Sequence, residues 1–217
     1  MYGLLIIVAF ALMAYLHGII KDDEYANVSR KVSERLNKLW DIAHLSMRDN
    51  RFLRAEKALL TILKIDEKNA AAYNRLGILY AKRKEFKDAI DCFEIASSID
   101  STPSSLHNLG LIYFETENYD KAAIAFEQAI KLEYNLAARH VAYAKVQEKI
   151  GNIKLMIEEL NIAAKLEPSK QTLGLLHKVY KDHGYVKEAD QVAYKLKKFK
   201  KIPNKLRVLK RPKRVVV

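Results

Sequence analysis

Residues 73–80 read Tyr73-Asn74-Arg75-Leu76-Gly77-Ile78-Leu79-Tyr80 and are followed by Phe86-Lys87-Asp88-Ala89, Phe93 and Ala96. The same arrangement returns as Leu106-His107-Asn108-Leu109-Gly110-Leu111-Ile112-Tyr113, then Tyr119-Asp120-Lys121-Ala122, Phe126 and Ala129. Gly77 to Gly110, Tyr80 to Tyr113, Ala89 to Ala122 and Phe93 to Phe126 are all separated by 33 residues. Small and large apolar residues recur at helical spacing, so each copy predicts two amphipathic helices joined by a short polar turn. A glycine inside a helix costs about 1 kcal/mol relative to alanine. Accepting that cost at two equivalent places predicts a backbone that a neighbour must approach closely. Ala89, Ala96, Ala122 and Ala129 serve the same approach, while Tyr80, Phe93, Tyr113 and Phe126 fill the space between helices.

Leu-Gly, Tyr, Ala, Phe and Ala in this order, at a period near 34, resemble the tetratricopeptide repeat. The resemblance implies an all-α solenoid of helix-turn-helix units in which the first helices line a concave face. Extended along the chain, the frame gives about five units, at 36–69, 70–102, 103–136, 137–169 and 170–203. The first has Leu39, Ile42, Ala43, Phe52, Ala55, Leu59 and Ile62, with Trp40 beside the usual aromatic place. The fourth has Met156 where the second helix usually carries alanine, which predicts looser packing there. The fifth has His177 in the place of the repeat glycine, as suits a terminal unit.

The run Tyr2–Ile20 contains no charged side chain. As a helix it would reach about 28 Å, close to the roughly 30 Å hydrocarbon core of a bilayer. No basic residue precedes it and Tyr15-Leu16-His17-Gly18 is a poor cleavage site, so an uncleaved transmembrane helix is expected at 1–21. Lys21, Arg30, Lys31, Arg35 and Lys38 follow it, which places the body on the cytoplasmic side of a single-pass protein. Residues 22–35 then form a short helical connector, 36–203 the solenoid and 204–217 a basic tail.

The chain of 217 residues carries a formal charge of +12. Ten basic residues lie between Lys197 and Val217: Lys197, Lys198, Lys200, Lys201, Lys205, Arg207, Lys210, Arg211, Lys213 and Arg214. Residues 1–196 hold 28 basic and 26 acidic side chains, a net +2, so the basic excess is assigned to the tail. Such a tail is expected to contact anionic lipid, RNA or an acidic protein with strong salt dependence.

No phosphate-binding glycine loop, His-Glu-x-x-His, Cys-x-x-Cys or nucleophile elbow occurs. The single cysteine, Cys92, is assigned to the core, and the six histidines are scattered. His107 and His140 occupy equivalent first-helix places, which is repeat geometry rather than metal ligation. Glu158-Glu159 is read as a solvated outward pair. The expectation is a non-enzymatic protein with no cofactor and no metal.

The resemblance further implies that certain first-helix side chains face the groove and meet a partner peptide or protein. On this chain they are Asn74, Arg75, Ile78 and Lys82, then His107, Asn108, Leu111 and Phe114, then Lys145, Lys149, Lys178 and Lys181. Relatives that bind chaperone tails carry a carboxylate clamp of Lys and Asn in the first unit, where this chain has Trp40 and His44. The layout of anchor and repeats also resembles bacterial regulators of lipopolysaccharide assembly, without their cysteine-rich module. The expected function is a membrane-anchored interaction scaffold. The alternative is a nucleic-acid or ribosome-associated factor working through the basic tail.

Overall fold

Polar residues at equivalent places of the repeat start three of the first helices. The Asn69 side chain accepts from the Ala72 N–H at 3.0 Å, and Ser169 accepts from the Thr172 N–H at 3.0 Å. Thr102 and Ser105 form a reciprocal capping box ahead of Pro103. Each cap satisfies a donor that the first turn of a helix leaves unpaired. The helices they open are α3 (Ala70–Lys82), α5 (Pro103–Glu115) and α9 (Lys170–Asp182).

The computed structural model describes residues 29–201, with side chains through residue 198. Besides these three helices it contains α1 (residues 29–48), α2 (Phe52–Ile65), α4 (Phe86–Ile99), α6 (Tyr119–Leu132), α7 (Ala137–Ile150), α8 (Ile153–Leu166) and α10 (Val186–Lys201). No strand occurs among the described residues, in keeping with the all-α expectation. The apolar run Tyr2–Ile20 and the tail beyond Lys201 lie outside them. Among the described residues no helix is long and apolar enough to cross a membrane.

One left-handed residue closes the turn within each helix pair. The positions are Asn50, Lys84, Glu117, Gly151 and Gly184, with φ of 56°, 63°, 61°, 88° and 78°. At each turn the following residue's N–H returns to a carbonyl five residues earlier, as in Glu85 to Tyr80 at 2.9 Å and Asn118 to Tyr113 at 2.7 Å. This is the Schellman geometry, and side chains other than glycine pay about 1 kcal/mol or more to adopt its left-handed residue. Glu117→Gly is therefore expected to raise stability by up to about 1 kcal/mol. A denaturant melt with an unchanged or lowered midpoint would contradict the assignment.

The described residues divide into two compact units, with the boundary between Glu85 and Phe86. In unit 1, α2 buries Ala55, Ala58, Leu59 and Ile62, and α3 buries Ala72, Leu76 and Leu79. The Tyr80 hydroxyl donates to Glu56 at 2.9 Å, and Arg83 donates to the other oxygen of the same carboxylate at 2.8 Å.

In unit 2, α5 packs on α6, α6 on α7, and α7 on α8. Ala89, Ala122 and Ala129 are completely buried. A Cβ placed on Gly110 would lie 3.0 Å from three atoms of the Phe126 ring, so the close approach expected at this glycine is real. The expected looseness around Met156 is not found. Met156 is 1% exposed and packs with Leu160, Leu173 and Leu176, because its flexible thioether fills the space an alanine would leave. Cys92 is half-buried; burial first, then Asp88 and Asp91, push its thiol up to about 11.

α7 is the exception among the first helices. Leu136 stands at its N-cap and offers no side-chain hydrogen bond. Two buried polar residues tie down its first turn instead. Arg139 binds the Glu133 carboxylate at 2.7 Å and carbonyl at 3.2 Å. His140, with no exposed surface, sets Nε2 2.7 Å from the Tyr134 carbonyl and Nδ1 2.6 Å from Glu159 Oε2 on α8. A carbonyl only accepts, so Nε2 donates to it, and Nδ1 faces the carboxylate at hydrogen-bond distance. Glu159 is therefore a buried partner of His140 rather than the solvated residue expected from Glu158-Glu159. Helical spacing put it beside Glu158, but the α7–α8 packing turned it inward.

Candidate partner-binding groove

First helices α5, α7 and α9 carry the expected groove side chains of unit 2. On α5, Leu111 is exposed while His107, Asn108 and Phe114 are half-buried. The Phe114 ring sits edge-on to Tyr119 with centroids 5.6 Å apart, and His107 edge-on to Phe126 at 5.3 Å. Such contacts fix the two rings in one orientation. Lys145 and Lys149 on α7, and Lys178 and Lys181 on α9, are all exposed.

His107, Leu111, Phe114 and Lys145 line one depression of about 220 Å³, together with Glu115, Phe126, Ala138, Val141 and Ala142. Lys145 and Lys178 line a second of about 550 Å³, with Thr172, Leu175 and Glu167 among its walls. Ala138, Val141 and Lys145 belong to both, so the two are continuous. Asn108, Lys149 and Lys181 line neither. Asn74, Arg75, Ile78 and Lys82 lie on α3 in unit 1, with Asn74 and Ile78 half-buried and the two basic side chains exposed. Of the anionic-surface candidates, Lys197 and Lys198 are exposed on α10, and the backbone at Lys200 and Lys201 continues that helix. Lys205, Arg207, Lys210, Arg211, Lys213 and Arg214 lie outside the described residues.

Ala138, Val141, Ala142 and Leu175 form much of the floor and were absent from the sequence-derived set. A signal existed in Ala138 and Ala142, four residues apart on one helix face. Small side chains there leave room over α7 for something else to occupy.

Polar groups line the groove as well: the cations Lys145 and Lys178, the carboxylates Glu115 and Glu167, and Ser169, Gln171 and Thr172. Burial, followed by the charge of Arg139, lowers the His107 pKa below its ordinary 6.5, so the imidazole is uncharged at neutral pH. Its Nδ1 is buried and has no hydrogen-bond partner among the described residues. Lys145 and Lys178 form no ion pair there either.

Residues 70–133 match the family model of the tetratricopeptide repeat. The fold is a tetratricopeptide-repeat fold. A crystal structure of the MamA protein aligns with a TM-score of 0.69 at 21% identity, covering 82% of this chain and 97% of that one. MamA from Desulfovibrio magneticus RS-1 gives 0.69 at 14% identity, covering 76% and 95%. YrrB, described as a TPR protein with an unusual peptide-binding site, gives 0.61 at 19% identity, covering 71% and 80%. At these identities the likeness establishes the fold. A comparison with curated protein sequences found no match. Repeat-like helix pairs of this kind present first-helix side chains on one side, which is why α5, α7 and α9 share a surface although no two are consecutive in the chain.

Proposed function

We propose that this chain is a non-enzymatic interaction scaffold that holds a segment of a partner protein in the groove over α5, α7 and α9. The carrying observation is the continuity of the two depressions through Ala138, Val141 and Lys145. They combine an apolar floor with two cations, Lys145 and Lys178, and two carboxylates, Glu115 and Glu167, that form no ion pair with one another among the described residues. A few polar groups convergent on an apolar cleft are the usual make-up of a binding site. Leu111 and Phe114 supply desolvated anchors. Lys145 and Lys178 favour carboxylates along that segment and speed its capture. Asn108, Lys149 and Lys181 are flanking contacts. The peptide-binding description of YrrB supports a peptide-like occupant. Residues 1–21 tether the scaffold to a membrane as a single-pass anchor with the body on the cytoplasmic side, on the strength of the uncharged run Tyr2–Ile20 and the basic residues after it.

The test is recovery of cross-linked partners from native membranes bearing Phe114→Ala or Lys145→Glu. Phe114→Ala is expected to cost about 2 kcal/mol of binding, close to thirtyfold in affinity, without loss of helical signal. Recovery of the same partners in the same amount by both variants, with loss on truncation after Lys198, would transfer the function to the tail.

A further inference from the structure

Unit 1 carries a second surface that the groove does not use. The core face of α2 is Ala55, Ala58, Leu59 and Ile62. At 3.6 residues per turn, Leu53, Lys57, Leu60 and Lys64 fall on the opposite side within about 60° of arc. All four are exposed, Leu53 at 77% and Leu60 at 43%. Arg54 is exposed beside them. Glu56, the one acidic residue of α2, is held by Arg83 at 2.8 Å and Tyr80 at 2.9 Å, so it does not neutralise the stripe. Leu53 takes part in two shallow depressions, one bordered by Arg51, Arg54 and Arg83, the other by Lys57, Leu60 and Lys64. Aliphatic side chains thus alternate with basic ones along a single helix face.

The charge of the whole unit points the same way. Residues 29–85 contain 14 Lys and Arg against 7 Asp and Glu, a net +7, whereas residues 86–196 contain 13 against 16, a net −3. Assigning the basic excess of the chain to the tail alone is therefore incomplete. The near-neutral sum over residues 1–196 conceals a basic unit 1 and an acidic stretch after it, separated at Glu85.

We propose that α2 docks on an anionic lipid bilayer, with Leu53 and Leu60 in the interfacial layer and Arg54, Lys57 and Lys64 on the head groups. Charge complementarity selects the anionic surface, and two exposed leucines flanked by long basic side chains suit the boundary between head groups and acyl chains. No aromatic residue stands in the stripe to stack a nucleic-acid base. The apolar run Tyr2–Ile20 ends nine residues before residue 29, so unit 1 is also the unit next to it in sequence. The inference goes beyond the groove reading and does not depend on it.

The experiment uses the full chain with Cys92→Ala and a single new labelling site, Leu60→Cys on α2 or, as a control, Ile124→Cys on the exposed face of α6. Each carries a polarity-sensitive fluorophore and is mixed with vesicles of phosphatidylcholine alone or of equal parts phosphatidylcholine and phosphatidylglycerol, both containing a nitroxide-lipid quencher. The label at position 60 is expected to be quenched in the anionic vesicles only, while that at 124 stays unquenched in both. Because an N-terminal anchor acts in neutral and anionic vesicles alike, the difference between the two vesicle types at position 60, together with the charge reversal below, isolates the α2 face. Lys57→Glu with Lys64→Glu is expected to lower the affinity for anionic vesicles, read from the quenching at 60, by about thirtyfold or more, with no change in helical signal because both side chains are exposed. Quenching at 60 that is absent from anionic vesicles, equal in neutral ones, equal to that at 124, or unchanged by the charge reversal would overturn the proposal. Protection of position 60 by RNA in place of vesicles would do the same.

Discussion

Glu159→Leu is expected to destabilise unit 2 by about 3 kcal/mol or more. Leucine is close in size to glutamate, so packing alone would make the change mild. The loss comes from His140, which is wholly buried and would keep its Nε2 bond to Tyr134 while Nδ1 loses Glu159. A buried polar atom without a partner retains its desolvation penalty with nothing to offset it. The effect should propagate to the start of α7, because Leu136 supplies no cap and the His140 and Arg139 bonds hold that turn. Hydrogen exchange should therefore rise first in α7, ahead of α5. The double variant His140→Leu with Glu159→Leu is expected to recover much of the loss, since no unpaired group remains. A double variant as unstable as the single one in denaturant melts would show that volume, rather than hydrogen bonding, is what matters there.

Gly110→Leu is expected to cost about 3 kcal/mol, at the upper end for overpacking. Its Cβ alone would stand 3.0 Å from three atoms of the Phe126 ring, which is 1% exposed, and leucine adds further atoms beyond that. Gly174 provides the contrast, because a Cβ there meets nothing within 4 Å. Gly174→Ala on α9 is expected to raise stability by up to about 1 kcal/mol through helix propensity. Gly174 also lines the larger depression, so the added methyl should alter partner binding even as it stabilises the fold. Thermal melts of the two variants shifting in the same direction would refute this account of the two glycines.

Repetition at a fixed offset, with glycine and alanine where backbones converge, determined the helix pairs from sequence alone, and Gly110 against Phe126 realises that reading in atoms. Periodicity tells which side of a helix faces inward, since that depends only on residues within one turn of each other. It does not tell which residue on a neighbouring helix will be met. The pairing of His140 with Glu159, 19 residues away, was therefore invisible, and Glu159 read as one half of a solvated pair. The same holds for the groove. Its candidates on α5, α7 and α9 could be named one by one, but only the packed helices joined Leu111, Phe114, Lys145 and Lys178 along a continuous floor of Ala138 and Val141. Charge followed the same rule. The count of basic residues belongs to the sequence, but its division at Glu85 and the stripe of Leu53, Lys57, Leu60 and Lys64 on solvent-facing α2 emerged only when tertiary packing fixed which faces are buried.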